Sequence, residues 1–70
     1  MITPYLPKTP ERKVIHLMEE CGEVVQACAK ILRFGLDGAH PTTGRLNHVA
    51  LRAELKDLRA AARKVEALLG

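Results

Sequence analysis

The sequence predicts an all-α fold in which two helices form an antiparallel hairpin. Two long stretches, about 10–34 and 46–69, repeat apolar residues at helical spacing, and a segment rich in Gly, Pro and Thr separates them. Helices joined by so short a loop fold back on each other. With only 70 residues, we expect one helical domain over 9–70, preceded by an extended, proline-interrupted arm over 1–8.

The first predicted helix has clear start and stop signals. Thr9 offers a hydroxyl to cap free backbone N–H groups, and Pro10 suits the first turn because its φ is already helical. Gly35 suits the position just after a helix. Between these signals, apolar residues recur at every seventh position and give the helix a wide apolar face. The three series are Val14, Cys21 and Cys28; Leu17, Val24 and Ile31; and Met18, Val25 and Leu32.

The second predicted helix has a less definite start. It begins between Arg45 and His48, with either Thr43 or Asn47 as its cap. The preceding loop, 36–44, contains three turn signals: Asp-Gly, His-Pro and Thr-Thr-Gly. Alternating steps of four and three define an inner seam that faces the first helix. The seam consists of Asn47, Leu51, Glu54, Leu58, Ala61, Val65 and Leu68.

The small size of the domain predicts that it needs help from a metal or a second copy. A chain this short buries a small fraction of its surface, and one neighbouring helix cannot cover three apolar series. Oligomerisation as a homodimer or homotetramer, forming a four-helix bundle, would cover them. A disulfide is not expected, because Cys21 and Cys28 are about 10 Å apart along one helix.

The cysteines and the hydropathy pattern bear on location. Reduced thiols are typical of cytosolic proteins, so we expect a cytoplasmic protein. No apolar run in the sequence approaches the length that crosses a membrane, and no signal peptide is recognisable, so no membrane association is expected.

Three acidic residues lie within one turn of the first helix. Glu20 and Glu23 are three positions apart, and Glu19 and Glu23 are four apart. Residues at these spacings are neighbours on the helix surface, so their carboxylates repel one another unless a cation lies between them. Taken alone, this cluster is typical of a solvated face paired with Lys or Arg.

The second helix favours a metal site over that simpler interpretation. Glu54 lies in the inner seam between two leucines, and Asp57 follows one turn later. A buried carboxylate without a partner is strongly destabilising, and a shared divalent cation would remove both the repulsion and the burial penalty. Few carboxylates with open coordination positions suit Mg²⁺, and Mn²⁺ can take its place. The predicted ligands are Glu20, Glu23, Glu54 and Asp57.

Basic residues follow the acids on the first helix. Lys30 is seven positions after Glu23, or about 10 Å along the axis. That distance suits a cation that contacts the far end of a phosphate chain held by the metal. Arg33 could do the same or could simply interact with the helix dipole. His16, four positions before Glu20, is expected to be structural.

The pattern of acids resembles that of the all-α nucleoside triphosphate pyrophosphohydrolases, also called MazG-like. The signature of that family is Glu-Glu-x-x-Glu on one helix and Glu-x-x-Asp on the next. This chain has EECGE at 19–23 and ELKD at 54–57. The surrounding EECGEVVQACAKILRFG and NHVALRAELKDL look like short members encoded by phages and prophages. The resemblance spans about residues 12–60.

The resemblance implies Mg²⁺-dependent hydrolysis of a nucleoside triphosphate between its α- and β-phosphates, giving a monophosphate and pyrophosphate. It makes the four predicted ligands the metal site, and it assigns Glu19 or Glu23 to orient or deprotonate the attacking water. Lys30 would then contact phosphate, and Asn47 would approach the base or sugar. For a phage-encoded member, the expected location is the host cytoplasm.

A basic stripe on the second helix leaves an alternative function open. Its members are spaced so as to share an exposed face, and the net charge is +3. The chain could be an inactive relative that binds a host protein or nucleic acid. One Tyr, one Phe and no Trp count against a single-strand binder that stacks bases. The stripe consists of Arg52, Lys56, Arg59 and Arg63.

Overall fold

A computed structural model describes residues 9–70, and it confirms the all-α class. Helix α1 spans Pro10–Phe34 and helix α2 spans Asn47–Leu69, and the two pack as a hairpin. The residue ranges of both helices agree closely with those expected from the sequence. The extended arm expected over 1–8 lies outside the described residues. Neither described helix has an apolar stretch of the kind that crosses a bilayer.

The ends of α1 are formed as its start and stop signals predict. The Thr9 hydroxyl oxygen accepts a hydrogen bond from the Arg12 backbone N–H at 3.1 Å, and Pro10 occupies the first helical position. Gly35 ends the helix with a φ of 88°, a value that favours glycine, and its N–H donates to the carbonyl of Ile31 at 2.7 Å. Local sequence therefore determines both ends of α1.

Helix α2 starts within the expected range, but neither Thr43 nor Asn47 is its cap. Leu46 occupies the cap position and makes no side-chain hydrogen bond, while Asn47 is the first helical residue. Loop carbonyls replace the missing cap. The Asn47 N–H donates to the Gly38 carbonyl at 2.8 Å, and the His48 N–H donates to the Leu36 carbonyl at 3.1 Å. These two free N–H groups are satisfied by backbone, so no capping side chain is needed there.

The side chain of Asn47 joins the two helices. It is buried, and its Nδ2 donates to the carbonyls of Gly35 at 3.1 Å and Lys30 at 3.4 Å. Those carbonyls belong to the last turn of α1 and to the glycine that follows it. Gly38 makes the contact possible, because a Cβ there would lie 2.7 Å from Asn47 Nδ2. Asn47 therefore fixes where α2 starts relative to α1.

The contact between the helices is thin. Ala27 and Ala61 are the only buried apolar residues among those described. The inner seam of α2 faces α1 as expected, with partly buried Leu51, Glu54, Leu58 and Val65, although Leu68 at its end is exposed. On α1, only one of the three apolar series, Leu17, Val24 and Ile31, is partly buried throughout.

The other two apolar series of α1 are exposed. Met18, Val25 and Leu32 have 69%, 67% and 88% of their surface accessible. Val14, Cys21 and Cys28 are exposed beside them. We call these six residues the apolar flank of α1. A single copy of the hairpin leaves this flank in water.

Replacing Asn47 with Ala should destabilise the fold. The substitution removes the side-chain amide that joins α2 to the end of α1, and each such hydrogen bond contributes about 0.5–1.5 kcal/mol to stability. Urea unfolding at one fixed protein concentration measures the difference. Thr43→Ala is the matched control, because its hydroxyl accepts only the Arg45 N–H at 3.2 Å in an exposed turn. Equal losses in the two variants would contradict the role given to Asn47.

Candidate functional site

Three of the four predicted metal ligands converge at the interface between the helices. Glu20 and Glu23 project from successive turns of α1, and Glu54 projects from the inner seam of α2. One carboxylate oxygen from each residue lies within 4.8 Å of the others. Among the described residues, no other group of three or more acidic, His or Cys side chains is so close. We call Glu20, Glu23 and Glu54 the carboxylate cluster.

Two members of the carboxylate cluster are held in an unfavourable environment. The side chain of Glu20 is only 12% exposed. One oxygen of Glu20 and one of Glu54, the Oε2 atom in both cases, are buried with no hydrogen-bond partner in the described part of the chain. Burial raises the pKa of both residues above the usual value of 4.5, and the neighbouring Glu23 raises the pKa of each further. A cation between the carboxylates would relieve each of these costs.

Asp57 and His16 lie at the edge of the carboxylate cluster. Asp57 is exposed and is not among the three converging side chains, but its charge contributes to the raised pKa of Glu20 and of Glu54. His16 Nε2 lies 3.3 Å from Glu20 Oε1, so this histidine orients the carboxylate. The sequence pattern predicts only a structural role for His16, although a histidine four positions before Glu20 on a helix is a neighbour of that carboxylate.

A cavity of about 210 Å³ opens beside the carboxylate cluster. Glu23 and Glu54 form its acidic end, and Lys30 forms its basic end. Ala27 and Ala50 line the space between them, and their small side chains leave it open. Lys30 therefore shares a cavity with two of the predicted ligands, as its position on α1 suggested.

The remaining predicted site residues occupy different places. Glu19 is exposed and lies outside the carboxylate cluster. The Arg33 guanidinium lies over the ring of Phe34, 5.2 Å from its centroid, and Arg33 does not line the cavity. Asn47 lines the cavity, but its amide nitrogen is engaged by the end of α1. A contact of Asn47 with a base or sugar stays a prediction.

A second, larger cleft of about 720 Å³ continues from the first. The two share Lys30, Asn47, Ala50 and Glu54. The far wall of the larger cleft comes from the end of α1 and from the loop before α2. Sequence reasoning missed these wall residues, because their position depends on how the loop folds. They include Phe34, His40, Pro41 and Arg45.

Metal-free protein should lose stability as the pH rises above about 4.5. The raised pKa values mean that the folded state binds more protons than the unfolded state at Glu20 and Glu54, so stability falls as pH rises through the folded pKa. Glu54→Gln should therefore raise the melting temperature at pH 7. The expected rise is about 4–8 °C for each kcal/mol of electrostatic destabilisation that the substitution removes.

Thermal unfolding in the presence of a metal chelator, at several pH values between 4.5 and 7, measures this change in melting temperature. Glu66→Gln is the matched control, because Glu66 is an exposed acid of α2 outside the carboxylate cluster. A Glu54→Gln variant that melts no higher than wild type at pH 7 would show that the ionised carboxylates do not destabilise the fold.

Comparisons with known proteins identify no relative of this chain. No family model, curated protein or solved structure matches this chain. The resemblance in its acidic motifs therefore rests on the sequence alone.

Proposed function

We propose that the chain is a Mg²⁺-dependent nucleotide pyrophosphohydrolase that converts a nucleoside triphosphate to a monophosphate and pyrophosphate. The observation that carries the proposal is the carboxylate cluster, whose three side chains come within 4.8 Å and include two buried oxygens without partners. Uncompensated burial of this kind is costly in a small domain and is typical of a site that binds a cation. The position of the cleaved bond rests on the resemblance of the motifs.

The donor set fits Mg²⁺. All three members of the carboxylate cluster offer hard oxygen ligands, and Asp57 adds further negative charge at its edge. When bound, the ion would neutralise phosphate charge and polarise the phosphoryl group. Lys30 lines the same cavity and would bind phosphate oxygens that extend beyond the acids. Mn²⁺ suits the same ligands.

Exposed acids of α1 provide the groups for water activation. Glu23 belongs to the carboxylate cluster yet remains exposed and lines the cavity, so it can face both a cation and solvent. A carboxylate there, or Glu19 one turn earlier, would orient a water and accept its proton. The water oxygen would form a bond to the α-phosphorus, and the bond to the bridging oxygen would break with release of pyrophosphate.

A second copy of the chain would complete the fold. We propose a homodimer that buries the apolar flank of α1 and forms a four-helix bundle, with a homotetramer as the larger option. The support is the exposure of Met18, Val25 and Leu32, together with a core in which only two alanines are buried among the described apolar residues. An exposed contiguous apolar face of this kind is typical of an interface.

The basic stripe supports a second candidate, in which the chain is an inactive relative that binds a host protein or nucleic acid. All four side chains of the stripe are exposed and form no ion pair within residues 9–70. A groove of about 310 Å³ lies along the stripe. This candidate does not account for the burial of Glu20 and Glu54. The groove is lined by His48, Leu51, Arg52, Leu55 and Arg59.

Turnover separates the two candidates. Glu23→Gln should abolish pyrophosphate release from a panel of nucleoside triphosphates, because a carboxylate needed by both cation and water is lost. Lys30→Ala should raise KM more than it lowers kcat, since its contact is with phosphate. Lys64→Ala is the control, because it removes an exposed lysine near the C-terminal end of α2. It should change neither KM nor kcat.

Neutralising the basic stripe should leave turnover unchanged if the chain is an enzyme. A folded, metal-loaded wild-type protein that releases no pyrophosphate from any nucleotide would sink the enzymatic proposal. Loss of nucleic-acid or protein binding on neutralising the stripe would then support the second candidate.

Interrupting the apolar flank should dissociate the assembly. Val25→Glu puts a charge where the partner copy would pack, so light scattering at micromolar concentration should report a smaller particle than for wild type. Leu36→Glu is the control, because Leu36 is 58% exposed but lies in the loop, away from the flank. A stably folded wild-type monomer at that concentration would refute the four-helix bundle.

A further inference from the structure

The larger cleft has a wall that the catalytic proposal does not use. Lys30 and Glu54 border it on the side of the carboxylate cluster. Phe34, Pro41 and Arg45 border it on the side of the loop. Its volume of about 720 Å³ falls in the range of pockets that hold small organic ligands, about 300–1,000 Å³. A ligand seated in this cleft would reach the carboxylate cluster without leaving the protein surface.

The loop wall of the cleft is held by its own hydrogen bonds. The His40 N–H donates to the Arg45 carbonyl at 2.8 Å, and the Gly44 N–H donates to the His40 carbonyl at 2.9 Å. The ring of His40 is fixed as well, because its Nδ1 accepts from the N–H groups of Thr42 and Thr43 at 3.1 and 3.2 Å. The wall is therefore formed in advance of any ligand, which lowers the entropic cost of binding.

Phe34 gives the wall an aromatic surface. It is the only aromatic carbocycle among residues 9–70, and 62% of its surface is exposed. The Arg33 guanidinium lies over the ring, 5.2 Å from its centroid, and such a contact holds the ring in place. An exposed, fixed ring that borders a cleft is a surface on which a flat heteroaromatic group stacks.

We infer that the larger cleft binds the nucleoside part of the substrate, with its base stacked on Phe34 and its phosphates directed past Lys30 to the carboxylate cluster. This inference rests on the proposed function for the identity of the ligand as a nucleotide. It assigns base binding to the end of α1 and the loop, rather than to Asn47. The amide nitrogen of Asn47 already donates to two carbonyls of α1.

Stacking on Phe34 tolerates any base, because every base has a π-face. Preference among bases then falls to the polar groups of the loop. With Nδ1 acting as an acceptor, the neutral ring of His40 carries its proton on Nε2 and offers a donor. Arg45 offers further donors at the same wall. Carbonyl groups on a base or sugar hydroxyls are the acceptors that such a wall recognises.

A pair of ligands tests the inference without turnover. Calorimetry would compare a nucleoside triphosphate analogue with a non-hydrolysable α,β-methylene bridge against inorganic tripolyphosphate, both with Mg²⁺. Phe34→Leu should weaken binding of the analogue about tenfold, in line with the loss of one stacked base. It should leave tripolyphosphate binding unchanged, because that ligand has no base. Phe34→Tyr should retain the affinity of wild type, since it preserves the ring.

The matched control is Leu36→Ala, which removes an exposed apolar side chain near Phe34 that does not line the cleft. It should change neither affinity. Equal weakening of both ligands by Phe34→Leu, or no weakening of either, would overturn the inference. Because binding is measured with an uncleavable ligand, a protein that binds the analogue through Phe34 but releases no pyrophosphate would contradict the proposed function alone.

Discussion

The hydrogen bonds from Asn47 to the end of α1 set the register on which the candidate site depends. Asn47 Nδ2 contacts the carbonyl of Lys30, and the helices run in opposite directions from that point. Seven residues, or about 10 Å, further along α2 lies Glu54. Seven residues back along α1 lies Glu23. The same contact therefore brings these two carboxylates together and leaves Lys30 two turns away in the same cavity.

This register of the two helices brings like charges together. The small apolar core contributes little stability to offset their repulsion. Ala27 and Ala61 are the only buried apolar residues in the described segment. Even so, the hairpin buries one oxygen each of Glu20 and Glu54 without a partner. A cation in the carboxylate cluster and a second copy on the apolar flank would each add stability through binding. Function and stability would then depend on the same two associations.

Much of this arrangement could be predicted from the sequence, because local signals are strong where they exist. Thr9, Pro10 and Gly35 fix the ends of α1, and the apolar period identified the inner seam that contains Glu54. Helix α2 starts within the predicted range, but its cap was predicted incorrectly, since its free N–H groups find loop carbonyls that no local pattern reveals. Phe34 and Arg45 were missed as wall residues for the same reason. Their place in the cleft depends on hydrogen bonds between residues distant in the chain, such as Asn47 with Gly35.

The central claim is that the carboxylate cluster binds a divalent cation. The most direct measurement is the melting temperature at pH 7 during titration with Mg²⁺ or Mn²⁺, for wild type, Glu54→Gln and Glu66→Gln. A ligand that binds only the folded state at 100 times its Kd stabilises it by about 2.7 kcal/mol. The account predicts a clear rise in melting temperature for wild type and Glu66→Gln, and none for Glu54→Gln. An equal rise in all three proteins, or no rise in wild type, would contradict it.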